Sequence, residues 1–155
     1  MCCVLPGTVA VGPVNTQAYV TVFAIGMFAP PVKQNFIRCN TLKISPEKLI
    51  KKLSRWKIVQ PFHNYPEIMI VKSELMSGEL GKATEHILGY YYVQEITSMM
   101  PILALSPQEN DILLDLCASP GSKTTQAAAM MNNKGTIIAN DLNIGRISIL
   151  SANLE

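Results

Sequence analysis

The stretch "LLDLCASPGSKTTQAAAMM", residues 113–131, decides the reading of this chain. An apolar segment enters a tight turn at Pro120 and Gly121, and a helix rich in small residues follows. Working outward, "TSMMPILALSP" predicts a helix capped by Ser98 with Pro101 in its first turn. Next come a strand "DILLDLC", the loop "ASPGSK", a helix "TTQAAAMM", a turn "NNKG", a strand "TIIAND" and the opening of a helix, "RISILSANLE". Apolar, two-sided strands alternating with helices make a parallel sheet covered by helices, so the fold class is α/β.

A turn between a parallel strand and its following helix lies at the carboxyl edge of the sheet. Ligands of open α/β folds bind there, and helix N-terminal N–H groups attract anions. Gly121 lets backbone pass close to a ligand, while Ser122 and Lys123 place a hydroxyl and a cation at the helix start. A phosphate-cradling P-loop needs an upstream glycine and a Gly-Lys pair, but Ser122 separates Gly121 from Lys123. A dinucleotide fingerprint needs three glycines and this loop has one. ATP and NAD are thereby disfavoured. A nucleoside with a small carboxylate-bearing tail still fits, given an acid at the end of the next strand for its ribose, and Asp141 stands there. S-adenosylmethionine has this shape.

Upstream, the charges are sorted. Residues 1–32 carry none, and the stretch from Lys33 to Lys57 holds eight basic residues against Glu47 alone. Residues 58–155 carry five basic and ten acidic residues, for a chain total of +2. A basic front on an acidic body predicts a surface that faces a polyanion. "FIRCNTLKI" alternates as a strand, with Ile37, Cys39 and Thr41 on one face and Arg38 and Asn40 on the other. "SPEKLIKKLSRW" predicts a helix with Ser45 as N-cap and Pro46 in the first position; Leu49, Leu53 and Trp56 share one side and Lys48, Lys51, Lys52 and Arg55 the other. "EIMIV" is a second strand, and residues 73–89 read as a connection. The three tyrosines at 90–92 and the paired methionines at 99–100 and 130–131 are expected to pack rather than to bind.

Four cysteines without a C-x-x-C pair argue against a zinc site or a disulfide scaffold, and no metal is expected. Reduced thiols fit an intracellular protein, cytoplasmic if prokaryotic. The apolar run "AYVTVFAIGMFAPPV" is shorter than the roughly 20 residues of a membrane span and lacks the basic flank of a signal peptide, so no membrane association is expected. The expected layout is an irregular apolar lead over 1–35, a small α/β unit over 36–88, and the front part of a sheet domain over 89–155.

"YYYVQEITSMMPILAL", "LLDLCASPGSKTTQAAAMM" and "GTIIANDLNIGR" together resemble the NOL1/NOP2/Sun family of RNA 5-methylcytosine methyltransferases. "IRCNTLK" is similar to that family's N-terminal domain, an RNA-recognition-like unit in several members. The resemblance covers residues 36–155 and implies a Rossmann-like methyltransferase domain behind the small unit. It implies that Cys117, Ala118, Ser119, Pro120, Gly121, Ser122 and Lys123 line the methionine end of S-adenosylmethionine and that Asp141 binds its ribose. Arg146 matches a position near the adenosine or beside that acid. RNA would contact Arg38, Lys48, Lys51, Lys52 and Arg55. Family chemistry adds a cysteine thiolate to carbon 6 of cytosine before methylation at carbon 5, on an unstacked base. The family's Asp-x-Pro-Cys segment and its second catalytic cysteine find no match here, so no catalytic residue is expected in this chain, which reads as the front part of the enzyme and inactive alone. The implied substrate is transfer or ribosomal RNA, with transfer RNA favoured by the compact front unit. Two rivals stand: a methyltransferase of a protein or small molecule, and a non-catalytic RNA-binding module.

Overall fold

The structure, a computed structural model, describes residues 34–155. The apolar lead up to Lys33 lies outside the described residues, and with it the membrane and signal-peptide expectations. The described chain divides into two compact units, residues 34–98 and 99–154.

The first unit is an antiparallel sheet with helices. Its elements are β1 (Asn35–Cys39), α1 (Pro46–Lys52), β2 (Ile58–Val59), β3 (Ile68–Val71), α2 (Glu79–Lys82), α3 (Thr84–Ile87) and β4 (Tyr91–Val93). The strand order is β2-β3-β1-β4, with Ile37 opposite Met69 on one side and Val93 on the other. α1 starts as its sequence dictates: the Ser45 hydroxyl accepts from the Lys48 N–H at 3.4 Å, and Pro46 occupies the first turn. The expected helix through Trp56 ends at Lys52, with Leu53 as its C-cap and Trp56 in the turn beyond, and Leu49, Leu53 and Trp56 pack with Ile37, Cys39, Met69, Val71 and Tyr91 into one core.

Three expectations are corrected here. Phe36 through Cys39 are all buried, so β1 has no solvent face. Arg38 shares its face with the neighbouring Tyr92 and Gln94, which shield it. The segment read as a connection contains α2 and α3, anchored by buried Leu80, whose carbonyl accepts from the Tyr91 hydroxyl at 2.7 Å. β4 pairs with β1, so the first unit runs past Gly89, where the sequence pattern places the change of domain. Backbone pairing, not composition, sets that boundary.

The second unit holds α4 (Ile96–Leu105, whose start precedes the division), β5 (Ile112–Asp115), α5 (Ser122–Met130), β6 (Thr136–Ala139) and α6 (Ile144–Leu154). β5 and β6 are parallel, in register from Ile112–Thr136 to Asp115–Ala139. The α/β class and the parallel pairing are as expected. Ile102, Leu113 and Ala127 form the core, with Leu105, Met130 and Ile137 against it. α4 begins before Ser98, which is therefore helical rather than a cap, and Pro101 lies inside the helix. Proline has no N–H to donate to the preceding turn, so one intrahelical bond is forfeited there. Met99 and Met131 are buried as expected, whereas Met100 is exposed. The turn into β6 uses left-handed Asn132, Asn133 and Gly135; a Cβ on Gly135 would meet the Asp111 carbonyl oxygen at 2.5 Å.

Candidate cofactor site and basic surface

The loop after β5 is held from below by Asp115. Its carboxylate accepts from the Thr124 hydroxyl at 2.7 Å and from the Cys117 N–H at 3.3 Å, tying the strand end to the first turn of α5. Ala118 N–H donates to the Asn140 carbonyl at 2.9 Å, so the loop also leans on the end of β6. The chain then turns through a cis Ser119–Pro120 peptide to Gly121, whose φ is +111°. Gly121 N–H donates to Ala118 O at 2.7 Å. Gly121, having no side chain, makes no side-chain cap to α5, and its carbonyl accepts from Thr125 N–H at 2.8 Å. Such a loop suits an anionic or carbonyl group brought close to backbone.

Asp141 closes the loop from the other strand. One carboxylate oxygen accepts from Ser119 N–H at 3.1 Å and the other from Asn143 N–H at 3.0 Å. Arg146 lies 3.7 Å from the same acid and donates to the Ser119 carbonyl. The Asn143 N–H foremost, then that of Ser119 and the Arg146 cation, hold the Asp141 carboxyl below its ordinary range and keep it charged. Asn143 caps α6, its side-chain oxygen accepting from Arg146 N–H at 3.3 Å. α6 also reaches the turn through Asn153, which donates to the Pro120 carbonyl at 2.7 Å. The Ser119 side chain is buried beside the Asp141 carboxylate.

The structure thus brings all nine expected cofactor residues, from Cys117 to Lys123 with Asp141 and Arg146, around one turn. Sequence reasoning passed over Asn143, Leu150 and Asn153, whose contacts with the loop depend on how α6 folds back. Asp115 carried a signal of its own, as a polar residue ending an apolar strand. Cys39 is buried, its thiol pushed up to about 12 by burial and donating to Ile44 O at 3.4 Å; Cys117 is exposed in the loop.

In the first unit, Lys48, Lys51 and Lys52 stand exposed on α1, with Lys52 5.7 Å from the Tyr90 ring centre. Arg55 is also exposed but engaged, pairing with both oxygens of Glu85 at 2.8 and 2.5 Å and lying 4.2 Å above the Trp56 ring. Arg38 does not join them. It is only 3% exposed, donates to Gln94 at 2.9 Å and has its pKa lowered to about 10 by burial, so the structure takes it off the basic surface. Among the described residues there is no cluster of three or more metal-ligating side chains, and no helix long and apolar enough to cross a membrane.

A parallel strand-turn-helix-strand unit with an acid at the second strand end defines a Rossmann-like segment. A crystal structure of a methyltransferase homolog protein from Pyrococcus horikoshii is similar over 78% of this chain and 39% of its own, at TM-score 0.69 and 34% identity. The structure of NSun6 from Pyrococcus horikoshii with SFG shares the fold at TM-score 0.71, over 80% of this chain and 55% of its own, with 22% identity. Residues 102–155 match the family described as 16S rRNA methyltransferase RsmB/F. Ribosomal RNA small subunit methyltransferase F of Photobacterium profundum is 41% identical over 123 residues, and that of Vibrio campbellii 41% over 124. Each alignment takes in 77% of this chain and 26% of the relative, so the chain spans about a quarter of the relatives it matches. The chain is thus similar to part of the length of these methyltransferases, with residues 102–155 matching the RsmB/F family.

Proposed function

We propose that this chain carries the cofactor-binding part of an S-adenosylmethionine-dependent RNA cytosine-5 methyltransferase, with residues 34–98 contributing to RNA binding and 99–155 to cofactor binding. The single observation that carries the reading is the loop Cys117–Lys123 tied to Asp141. One residue without a side chain, Gly121, sits at a helix start that has no side-chain cap, and a charged carboxylate stands one strand away. These groups fit the cofactor. N–H groups at the start of α5 suit its carboxylate, and each Asp141 oxygen keeps a lone pair for a ribose hydroxyl after accepting from backbone. When bound, the cofactor supplies an electrophilic methyl group. The chain's own residues bind and orient it; neither described cysteine is assigned the nucleophile's role.

The relatives' names favour small-subunit ribosomal RNA over the transfer RNA that the compact front unit suggests. Calorimetry on the full-length gene product tests the cofactor. Heat with S-adenosylmethionine and none with ATP or NAD is the expected result, and the converse overturns the reading. Methyl transfer to small-subunit ribosomal RNA but not to transfer RNA, with the product nucleoside resolved as 5-methylcytidine, tests the substrate.

A further inference from the structure

We propose that the loop between β2 and β3 is a stacking platform for unpaired RNA bases, carried by Phe62 and Tyr65 with His63 between them. The inference rests on the RNA reading above but on a different part of the molecule. The first unit buries its other large rings where it can: Trp56 is 7% and Tyr91 2% exposed. Phe62 and Tyr65 are 41% and 38% exposed, and every residue from Gln60 to Pro66 faces solvent. This is not slack chain. Tyr65 N–H donates to Phe62 O at 3.3 Å, Ile68 N–H to Tyr65 O at 3.1 Å, and the Gln60 side chain closes the loop onto the Pro66 carbonyl at 2.6 Å. Pro61 and Pro66 stiffen its two ends. The rings are therefore displayed on a fixed backbone, which lowers the ordering cost of binding.

The surroundings favour RNA over a protein partner. The loop itself, Gln60 to Pro66, carries no acidic side chain to repel phosphate, the nearest in sequence being Glu67. The loop leaves the sheet at the end where Cys39 N–H meets the Glu67 carbonyl at 2.8 Å and Asn40 N–H meets the Tyr90 carbonyl at 2.9 Å. The Asn40–Ile44 turn therefore emerges at the same end of the sheet, its Lys43 directing its ammonium to the Leu88 carbonyl at 3.5 Å. Exposed flat rings are a means by which single strands are gripped, since every base has a face to stack.

The test uses the full chain and two fluorescent probes of roughly 12 nucleotides, one single-stranded RNA and one closed as a hairpin duplex. Phe62→Ala/Tyr65→Ala should weaken single-strand binding by between about fivefold and 150-fold per ring, leave its salt dependence unchanged and spare the duplex. Phe62→Tyr/Tyr65→Phe should restore affinity, which separates loss of a ring from loss of fold. Lys48→Ala/Lys51→Ala/Lys52→Ala should instead flatten the salt dependence for both probes. Single-strand affinity within twofold of wild type in the double alanine variant overturns the platform, as does equal loss on both probes. If the lysine variant still loses affinity in that case, the RNA reading survives; if the unaltered chain binds neither probe, that reading falls and the platform with it.

Discussion

Replacing Gly121 with alanine should damage both the stability of the second unit and its hold on cofactor. The backbone there has φ +111°, a region that L side chains avoid at a cost of roughly 1–2 kcal/mol. The new Cβ would also sit 3.1 Å from Leu150 Cδ1, the far end of a side chain that can turn aside, so sterics add little to that figure. A loss of about 1–2 kcal/mol in a unit of this size corresponds to a fall in melting temperature of roughly 4–8 °C per kcal/mol. Gly81→Ala is the matched control. It lies in α2 with nothing within 4 Å of the added atom, and should be neutral or stabilise by up to about 1 kcal/mol. Thermal and urea unfolding followed by far-ultraviolet circular dichroism reads both variants, and calorimetry with S-adenosylmethionine reads the loop. Unchanged stability together with unchanged affinity in Gly121→Ala would refute the assignment of this turn as a close-approach site.

Asp141 has a folded pKa below its ordinary 3.8, so the stability it contributes is complete above that value and lost as pH falls through the lower folded one. Asp141→Asn should therefore erase an acid-dependent step in amide exchange at Ser119 and Asn143, and persistence of the step in the variant would contradict the carboxylate's role. Leu49→Ala, at a site with no solvent exposure, should cost about 2–5 kcal/mol and act on the first unit alone, which hydrogen exchange resolved by residue can check. Mild alkylation of the native chain should modify Cys117 roughly tenfold or more faster than Cys39, whose buried thiol is pushed up to about 12; peptide mapping that found equal labelling would argue against the packing of β1.

The cofactor side of the molecule was legible in the sequence because its signals are local. Strand, turn glycine and small-residue helix lie within twenty residues of one another, and Asp141 ends the next strand. The same holds for the start of α1, whose cap and first-turn proline are written in "SPEKLIKKLSRW", although the helix ends at Lys52 rather than running on to Trp56. What escaped depends on pairing at a distance. Alternation along β1 sets Arg38 on an outward face, but Gln94, 56 residues away, covers it. The boundary at Gly89 followed composition, whereas β4 is held by hydrogen bonds to a strand more than fifty residues upstream. α4 began early because a helix start without a strong cap leaves little mark on sequence, and Pro101 suggested the wrong first turn.

The described second unit has no aromatic side chain. Between Met99 and Glu155 there is no phenylalanine, tyrosine or tryptophan, while the chain's one indole, Trp56, belongs to the first unit. Excitation at the red edge of protein absorption consequently reports on the first unit alone. The purine of a bound nucleoside would be the sole strong chromophore contributed locally by residues 99–155 and their ligand, so induced dichroism near its absorption band can register occupancy without any label.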